Sequence, residues 1–253
     1  MKVQNHAAVI TGGGSGMGAE TARRLAAEGA KVALFDLNID AVQAIADEIG
    51  GIALQCDVSD GPSLEAAFAK AREAHGPARI AVNCAGVATP GRIVGREGPL
   101  DLAAFKRVVD INLVGTFNMM RLAAYDMSKL DPLETAERGV IINTASVAGF
   151  EGQIGQAAYG SSKGGVIALG LPAARELARF GIRVMTIAPG LIATPMLLTM
   201  PQEIQDSLAA SVPFPARFGE ASEYADLALH IIGNVMLNGD VIRLDGALRL
   251  APK

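Results

Sequence analysis

Ala7-Ala8-Val9-Ile10-Thr11-Gly12-Gly13-Gly14-Ser15-Gly16-Met17-Gly18 decides how this chain is read. The short apolar run at 7–11 predicts a buried strand, the glycines after it a tight turn, and the pattern over 17–28 a helix opening out of that turn. Glycines there let the backbone approach a pyrophosphate, which the N–H groups of a helix N-terminus attract. A strict GxGxxG spacing fits loosely, through Gly14, Gly16 and Ala19, whereas TGxxxGxG fits through Thr11, Gly12, Gly16 and Gly18.

Outward from this unit the same alternation repeats. Further strands are expected at 31–35, 52–56, 80–83, 139–145, 183–188 and 241–244, and further helices at 39–49, 62–74, 101–127, 158–180 and 221–232. Continuously apolar strands separated by helices predict a parallel sheet covered on both faces. Right-handed crossovers make it a doubly wound, Rossmann-type α/β fold. No linker or composition shift divides the chain, so a single domain over residues 1–253 is expected.

Three stretches break the alternation. Residues 89–100 form a Gly/Pro-rich loop, and residues 129–138 a charged insertion. Residues 189–217 are long and carry prolines at 189, 195, 201, 213 and 215. Ligands of this fold sit beyond the carboxyl ends of the strands. The last stretch follows such an end and is expected to be a substrate lid, a plain surface loop being the other reading.

Asp36 ends the second strand, about twenty residues beyond the glycines. A carboxylate there accepts hydrogen bonds from adenosine ribose hydroxyls and repels a 2′-phosphate. Leu37 follows it and Ser15 lies in the glycine turn, so neither position offers a base for NADP; NAD is expected. Asp57-Val58, ending the third strand, lies where an adenine edge would be held, or Asp57 is a solvated strand-end residue.

Tyr159-Gly160-Ser161-Ser162-Lys163 begins thirteen residues after Ser146. One helical turn puts Tyr159 and Lys163 on the same face. At roughly 4 Å and an effective dielectric of about 20, the ammonium favours phenolate by up to ~4 kcal/mol. That would bring the phenol from ~10 towards ~7, with desolvation working against part of the shift. Such a phenol exchanges protons near neutral pH, and a nearby Ser hydroxyl would hold a carbonyl or alcohol oxygen within its reach.

The net charge of −4, with no clustered basic face, argues against a nucleic-acid partner. Three isolated histidines (His6, His75, His230) lack metal-ligand spacing. Cys56 and Cys84, on strand ends, suit a reducing compartment better than a disulfide framework. No apolar run approaches 18 residues and the first six lack a leader pattern, so a cytoplasmic protein without membrane spans is expected.

Together these pieces resemble the short-chain dehydrogenase/reductase family over nearly the whole chain. The resemblance rests on Thr11-Gly12-x-x-x-Gly16-x-Gly18, Asn83-Cys84-Ala85-Gly86, Asn112, Ser146, Tyr159-x-x-x-Lys163 and Pro189-Gly190. Cys84 departs from it, because the family usually has a second Asn there. Residues 139–194, 212–215 and 238–247, with the insertion at 129–138, resemble more narrowly its type II 3-hydroxyacyl-CoA dehydrogenase branch, known also for 17β-hydroxysteroid dehydrogenase activity.

The resemblance implies Tyr159 as general acid/base, Lys163 lowering its pKa and binding the nicotinamide ribose, and Ser146 holding the substrate oxygen. Asn112 would hold a water linking Lys163 to solvent; its place inside a predicted helix is unfavourable by propensity. Gln153 would contact the acyl group. Thr194 would bind the carboxamide, with the Ile192 backbone assisting. Gly12, Ser15, Gly16, Met17, Gly18, Asn83, Ala85, Gly86, Pro189 and Gly190 would complete the cofactor set with Asp36, Asp57 and Val58.

The expected function is NAD-dependent interconversion of a secondary alcohol and a ketone, with a 3-hydroxyacyl-CoA as substrate and a place in fatty-acid metabolism. A carrier-protein reductase, a steroid or other alcohol dehydrogenase, and a non-enzymatic NAD-binding scaffold are the rivals. Small residues in the 158–180 helix suit close helix approach, at a subunit interface or within the monomer, and the resemblance implies a homotetramer. Pro172 is expected to kink that helix.

Overall fold

The computed structural model describes residues 1–252. In chain order its strands are β1 (Ala7–Thr11), β2 (Lys31–Asp36), β3 (Ile52–Gln55), β4 (Ile80–Asn83), β5 (Val94–Gly95), β6 (Gly98–Pro99), β7 (Gly139–Thr144), β8 (Ile182–Pro189) and β9 (Val241–Leu244). All but β5 and β6 form one parallel sheet in the order β3-β2-β1-β4-β7-β8-β9. The order reverses between β1 and β4, and that switch point opens a crevice at the carboxyl ends of the strands.

The helices are α1 (Gly16–Ala27), α2 (Ile39–Ile49), α3 (Gly61–His75), α4 (Leu102–Val109), α5 (Gly115–Ser128), α6 (Ala157–Leu177), α7 (Pro195–Leu198), α8 (Gln202–Ala210) and α9 (Ala221–Gly233). One apolar layer joins Val9, Ala81, Ile141 and Val184 of the sheet to Phe68 of α3, Met119 and Met127 of α5 and Ala174 of α6. The other joins Ile10, Val82, Ile142 and Ile187 to Leu25 of α1, Val42 of α2 and Tyr224 and Ile231 of α9. This is why the inner strands are apolar without alternation: both faces are covered.

Local chemistry sets the helix starts. Asn38 caps α2 by accepting the Ala41 N–H at 3.1 Å, and Gly50 ends it in the left-handed region, φ 66°. Asp60 caps α3 through the Ser63 N–H at 2.9 Å, with Pro62 in its first turn.

Three expectations change, at 101–127, 189–217 and 89–100; the expected kink at Pro172 stays an expectation, in a helix, α6, that is continuous there. The helix expected over 101–127 is α4 and α5 joined by a π-helical turn, Asp110–Val114, with the buried Asn112 at its centre. Residues 189–217 are not plain loop, since they carry α7 and α8, and residues 89–100 carry the β5–β6 hairpin.

The small residues of α6 serve contacts within the chain. A Cβ on Gly165 would stand 2.6 Å from Leu113, one on Gly170 3.1 Å from the Thr186 hydroxyl, and one on Gly160 3.1 Å from the Ala148 carbonyl. The insertion at 129–138 is anchored by Glu137, which is buried and accepts from Arg183 at 2.6 Å. The remaining Arg183 nitrogens donate to the carbonyls of Ile231, Ile232 and Leu237, so the buried pair is fully hydrogen-bonded.

Candidate active site

The turn between β1 and α1 needs glycine for two separate reasons. Gly12 has φ 66°, and a Cβ there would lie 2.7 Å from the Ala85 nitrogen. Gly18 touches the Gly12 carbonyl so closely that any side chain would collide with it. Helix α1 therefore starts hard against the turn. Ser15 precedes it without a side-chain cap, and its first turn holds no acidic residue, so the N–H groups near Gly16 and Met17 keep their attraction for an anion. Gly16 faces the Thr194 methyl at a distance that would leave a Cβ 3.3 Å away.

Pro189 ends β8, the Gly190 N–H donates to the Leu244 carbonyl at 2.9 Å, and Ile192 is buried. Thr194, at the start of α7, donates its N–H to the Ile192 carbonyl at 2.7 Å. The cleft thus lies between the 12–18 turn and the 190–195 segment.

Asp36 ends β2 and braces the glycine turn: its carboxylate accepts the Gly14 and Asn38 N–H groups, each at 3.0 Å. Asp57 accepts both the N–H (2.9 Å) and the hydroxyl (2.6 Å) of Ser59, so it organises the turn into α3 rather than standing solvated. Val58 is buried against Gly115, and its carbonyl accepts from Asn118 at 2.9 Å. Asn83 is buried and donates to Asn143 at 2.9 Å, which turns its side chain along the sheet. The Ala85 N–H donates to the Thr11 hydroxyl at 3.2 Å. A Cβ on Gly86 would lie 3.2 Å from Asn112 Oδ1 and 3.5 Å from Lys163 Nζ, so glycine keeps the space before that ammonium open.

Ser146 follows β7 in extended backbone, its hydroxyl accepting the Ala148 N–H at 3.1 Å. Tyr159 and Lys163 share one face of α6, with Lys163 Nζ 5.9 Å from the centre of the phenol ring. Lys163 is buried, and its ammonium donates to the Thr144 carbonyl at 2.7 Å. Asn112 accepts the Val87 N–H (2.8 Å) and donates to the Val87 carbonyl (2.9 Å) and the Ser162 hydroxyl (3.0 Å). Ser162 in turn donates to the Tyr159 carbonyl at 2.8 Å. The Asn112 side chain thereby ties the Val87 segment to α6.

The electrostatics also correct the sequence reading. Burial pushes the Tyr159 phenol up, and the neighbouring Ser146 hydroxyl works against that. Burial pushes Lys163 down to about 8. Desolvation of the phenol outweighs the Ser146 hydrogen bond, so the downward shift expected from the ammonium is not the net direction here. A hydroxyl, a half-buried phenol and a lysine poised near physiological pH, at the mouth of an anion-attracting cleft, suit proton transfer to or from a bound oxygen.

Residues 6–205 match the short chain dehydrogenase family. The chain belongs to the short-chain dehydrogenase family. It is an oxidoreductase of the kind that works with a nicotinamide cofactor. It is 49% identical to 3-hydroxyacyl-CoA dehydrogenase type-2 of Homo sapiens over 254 aligned residues, covering 99% of this chain and 97% of that one. To the protein of the same name from Drosophila melanogaster it is 47% identical, over 99% of this chain and all of the other. The crystal structure of 3-hydroxyacyl-CoA dehydrogenase type-2 from Mycobacterium avium superposes with a TM-score of 0.93 at 42% identity, each chain covered completely.

In this short-chain dehydrogenase several supports escaped the sequence reading. Thr144 anchors Lys163 through its main-chain carbonyl, which no residue pattern reveals. Its hydroxyl lies 2.6 Å from the Tyr224 hydroxyl, and both lie 3.7 Å from Cys84 Sγ. Cys84, where the family usually has Asn, thus fills a small polar cluster beneath the site, and burial pushes its thiol up. Gln153 donates to the Ala251 carbonyl at 3.0 Å and accepts from Gln156 at 3.1 Å, so its amide is held by the chain itself.

Proposed function

We propose that this short-chain dehydrogenase is a single-domain, NAD-dependent enzyme that interconverts a 3-hydroxyacyl-CoA and its 3-oxoacyl-CoA. The carrying observation is the Tyr159 phenol beside the Ser146 hydroxyl, with the Lys163 ammonium against the same ring. The names of relatives nearly half identical over the full chain support the acyl-CoA class.

The residues fit a dinucleotide, because glycine is required at positions 12, 16 and 18 and the α1 N-terminus is uncapped. Gly12, Ser15, Gly16, Met17 and Gly18 would hold the pyrophosphate, Asp36 the adenosine ribose, and Asp57 and Val58 the adenine. Asn83, Ala85, Gly86, Pro189, Gly190, Ile192 and Thr194 would line the nicotinamide half. A nicotinamide bound there would supply the hydride chemistry at the alcohol or carbonyl carbon.

The chain's own residues handle the proton. Tyr159 takes it from the alcohol oxygen in oxidation and gives it to the carbonyl oxygen in reduction. Ser146 holds that oxygen by hydrogen bonding, Lys163 stabilises phenolate and binds the ribose hydroxyls, and Gln153 contacts the acyl group. Asn112 braces: it ties the Val87 segment to Ser162 and so to the turn of α6 that carries Tyr159.

Residues 189–217, with α7 and α8 after the end of β8, act as the substrate lid in this reading. The exposed Val114, Phe117, Tyr125 and Leu171 support a homotetramer. The unpaired Cys56 and Cys84 suit a reducing cytoplasm, and the acyl-CoA substrate class is what supports a role in fatty-acid metabolism. No described helix is long and apolar enough to cross a membrane.

The test is reduction of acetoacetyl-CoA, the matching carrier-protein thioester and a ketosteroid, each with NADH and NADPH. Acetoacetyl-CoA with NADH should be fastest; activity confined to NADPH or to the carrier-protein thioester would overturn the proposal. Asp36 supplies a sharper version. Its charge at the ribose should favour NADH over NADPH by at least about 100-fold in kcat/KM. Asp36→Asn keeps one acceptor oxygen, enough for the Gly14 or the Asn38 N–H group but not both, and should narrow that ratio about tenfold or more. An unchanged ratio in the variant would assign the preference elsewhere.

A further inference from the structure

Residues 150–156 join the two catalytic hydroxyls, lying between the turn that carries Ser146 and the first turn of α6 that carries Tyr159. The 3₁₀ turn after Ser146 ends at Gly149 and α6 begins at Ala157, so this stretch has no regular structure of its own. Its shape depends on what fastens it. On one side the Gly91 N–H donates to the Gly155 carbonyl at 2.8 Å. On the other side the fastening comes from β9 and the last residues described.

Glu151 is the centre of that second fastening. It accepts from Arg243 at 2.8 and 3.3 Å and from the Leu250 N–H at 2.9 Å, and it lies 3.4 Å from Arg249 Nε. Arg243, on β9, also donates to Asp245 at 2.7 Å and to the Leu248 carbonyl at 2.9 Å. Two further links run alongside: Gln153 Nε2 to the Ala251 carbonyl and the Ile154 N–H to the Pro252 carbonyl, each 3.0 Å. Residues 250, 251 and 252 thus meet 151, 153 and 154 in order. Glu151 and Arg243 are each only about a fifth exposed (22% and 23%), which makes the multidentate pair stronger than a surface contact.

We propose that the Glu151–Arg243 pair and residues 250–252 form a strap that positions the 150–156 segment and the Gln153 amide at the substrate end of the site, so that the C-terminal segment governs substrate affinity. The proposal rests on the catalytic reading above. The strap touches neither Tyr159 nor Lys163, and it meets the cofactor half through Asp245, the Arg243 partner packed against Gly190, whose bonds to Arg243 and Arg249 do not pass through Glu151. Loosening it should therefore act on substrate binding and spare the chemistry.

Two variants test this in the NADH-loaded enzyme: Glu151→Gln, and a chain ending at Arg249. Each should raise KM for acetoacetyl-CoA about tenfold, the scale of one lost charge-assisted contact. The kcat and the NADH Kd should stay within about twofold. Their combination should add little to either alone, because both open the same strap. Amide hydrogen exchange supplies a readout free of any substrate assignment: peptides covering 148–157 should exchange faster in the shortened chain, while the middle of α6 stays protected. Unchanged exchange across 148–157 would overturn the proposal. So would a joint fall in kcat, NADH affinity and Tm, which would mark general destabilisation. Failure of the wild type to reduce acetoacetyl-CoA would count against the proposed substrate, and the exchange result would then decide the strap alone.

Discussion

Tyr159→Phe should lower kcat for ketone reduction by about 10³- to 10⁴-fold while NADH affinity stays within about twofold. The ring remains to fill its place on α6, so packing survives and only the proton-carrying hydroxyl is lost. The Ser146 hydroxyl keeps its bond to the Ala148 N–H and can still hold a carbonyl oxygen, which is why binding should persist. The wild type should also show opposite pH trends in its two directions. Oxidation needs the phenol deprotonated and should rise with pH; reduction needs it protonated and should fall. Burial holds Lys163 near 8 and pushes Tyr159 up, so the profile should lie on the alkaline side. Tyr159→Phe should flatten it. Near wild-type rates, or an unchanged profile, would remove Tyr159 from the chemistry.

Lys163→Met should cost at least about 10²-fold in kcat/KM and yet leave the cofactor-free protein as stable as the wild type, or more so, near pH 6.5. The side chain is buried and its pKa falls from 10.5 to about 8 on folding. That shift amounts to about 3 kcal/mol of stability forgone while the group is charged. Removing the ammonium leaves the Thr144 carbonyl without its donor, a loss of about 1–3 kcal/mol, so the net gain is small. Its pH dependence is the distinctive part. Between about 8 and 10.5 the unfolded lysine binds its proton more than the folded one, so wild-type stability rises with pH over that window. The variant lacks this rise. Its Tm should equal or exceed the wild-type Tm by up to about 4 °C at pH 6.5 and lose that advantage by pH 9.5. A variant several degrees less stable at both pH values would show that burial of this charge is not the dominant cost.

Much of the fold was legible because it rests on patterns that survive in one dimension. Apolar runs without alternation announced a sheet covered on both faces, and the 11–18 glycines announced where its crevice opens. Tyr159 and Lys163 were legible as one helical turn. What escaped depends on three dimensions. The anchor of Lys163 is a main-chain carbonyl, which Thr144 offers through no property of its side chain. The upward push on Tyr159 follows from burial, which spacing does not encode. The glycines of α6 looked equally suited to another subunit until Leu113, Thr186 and Ala148 were found filling the space beside them. Asn112 was recognised as out of place in a regular helix, but the π-helical turn around it could not be read from propensity.

That turn has an evolutionary consequence. A π-helical turn takes up one residue more than an α-helical one, so it can absorb an insertion without rotating the helix on either side. Here α4 and α5 keep their separate faces, with Val108 inward before the bulge and Met119 and Met127 inward after it. The site's brace therefore sits on a local irregularity between two regular helices. Deleting the exposed Asp110 should give a chain that folds with a Tm within a few degrees of wild type yet turns over slowly, because Asn112 no longer meets Val87 and Ser162. A chain that fails to fold would mean that scaffold and site cannot be edited separately. A folded, sluggish one would show how a lineage can gain or lose this machinery in a single step.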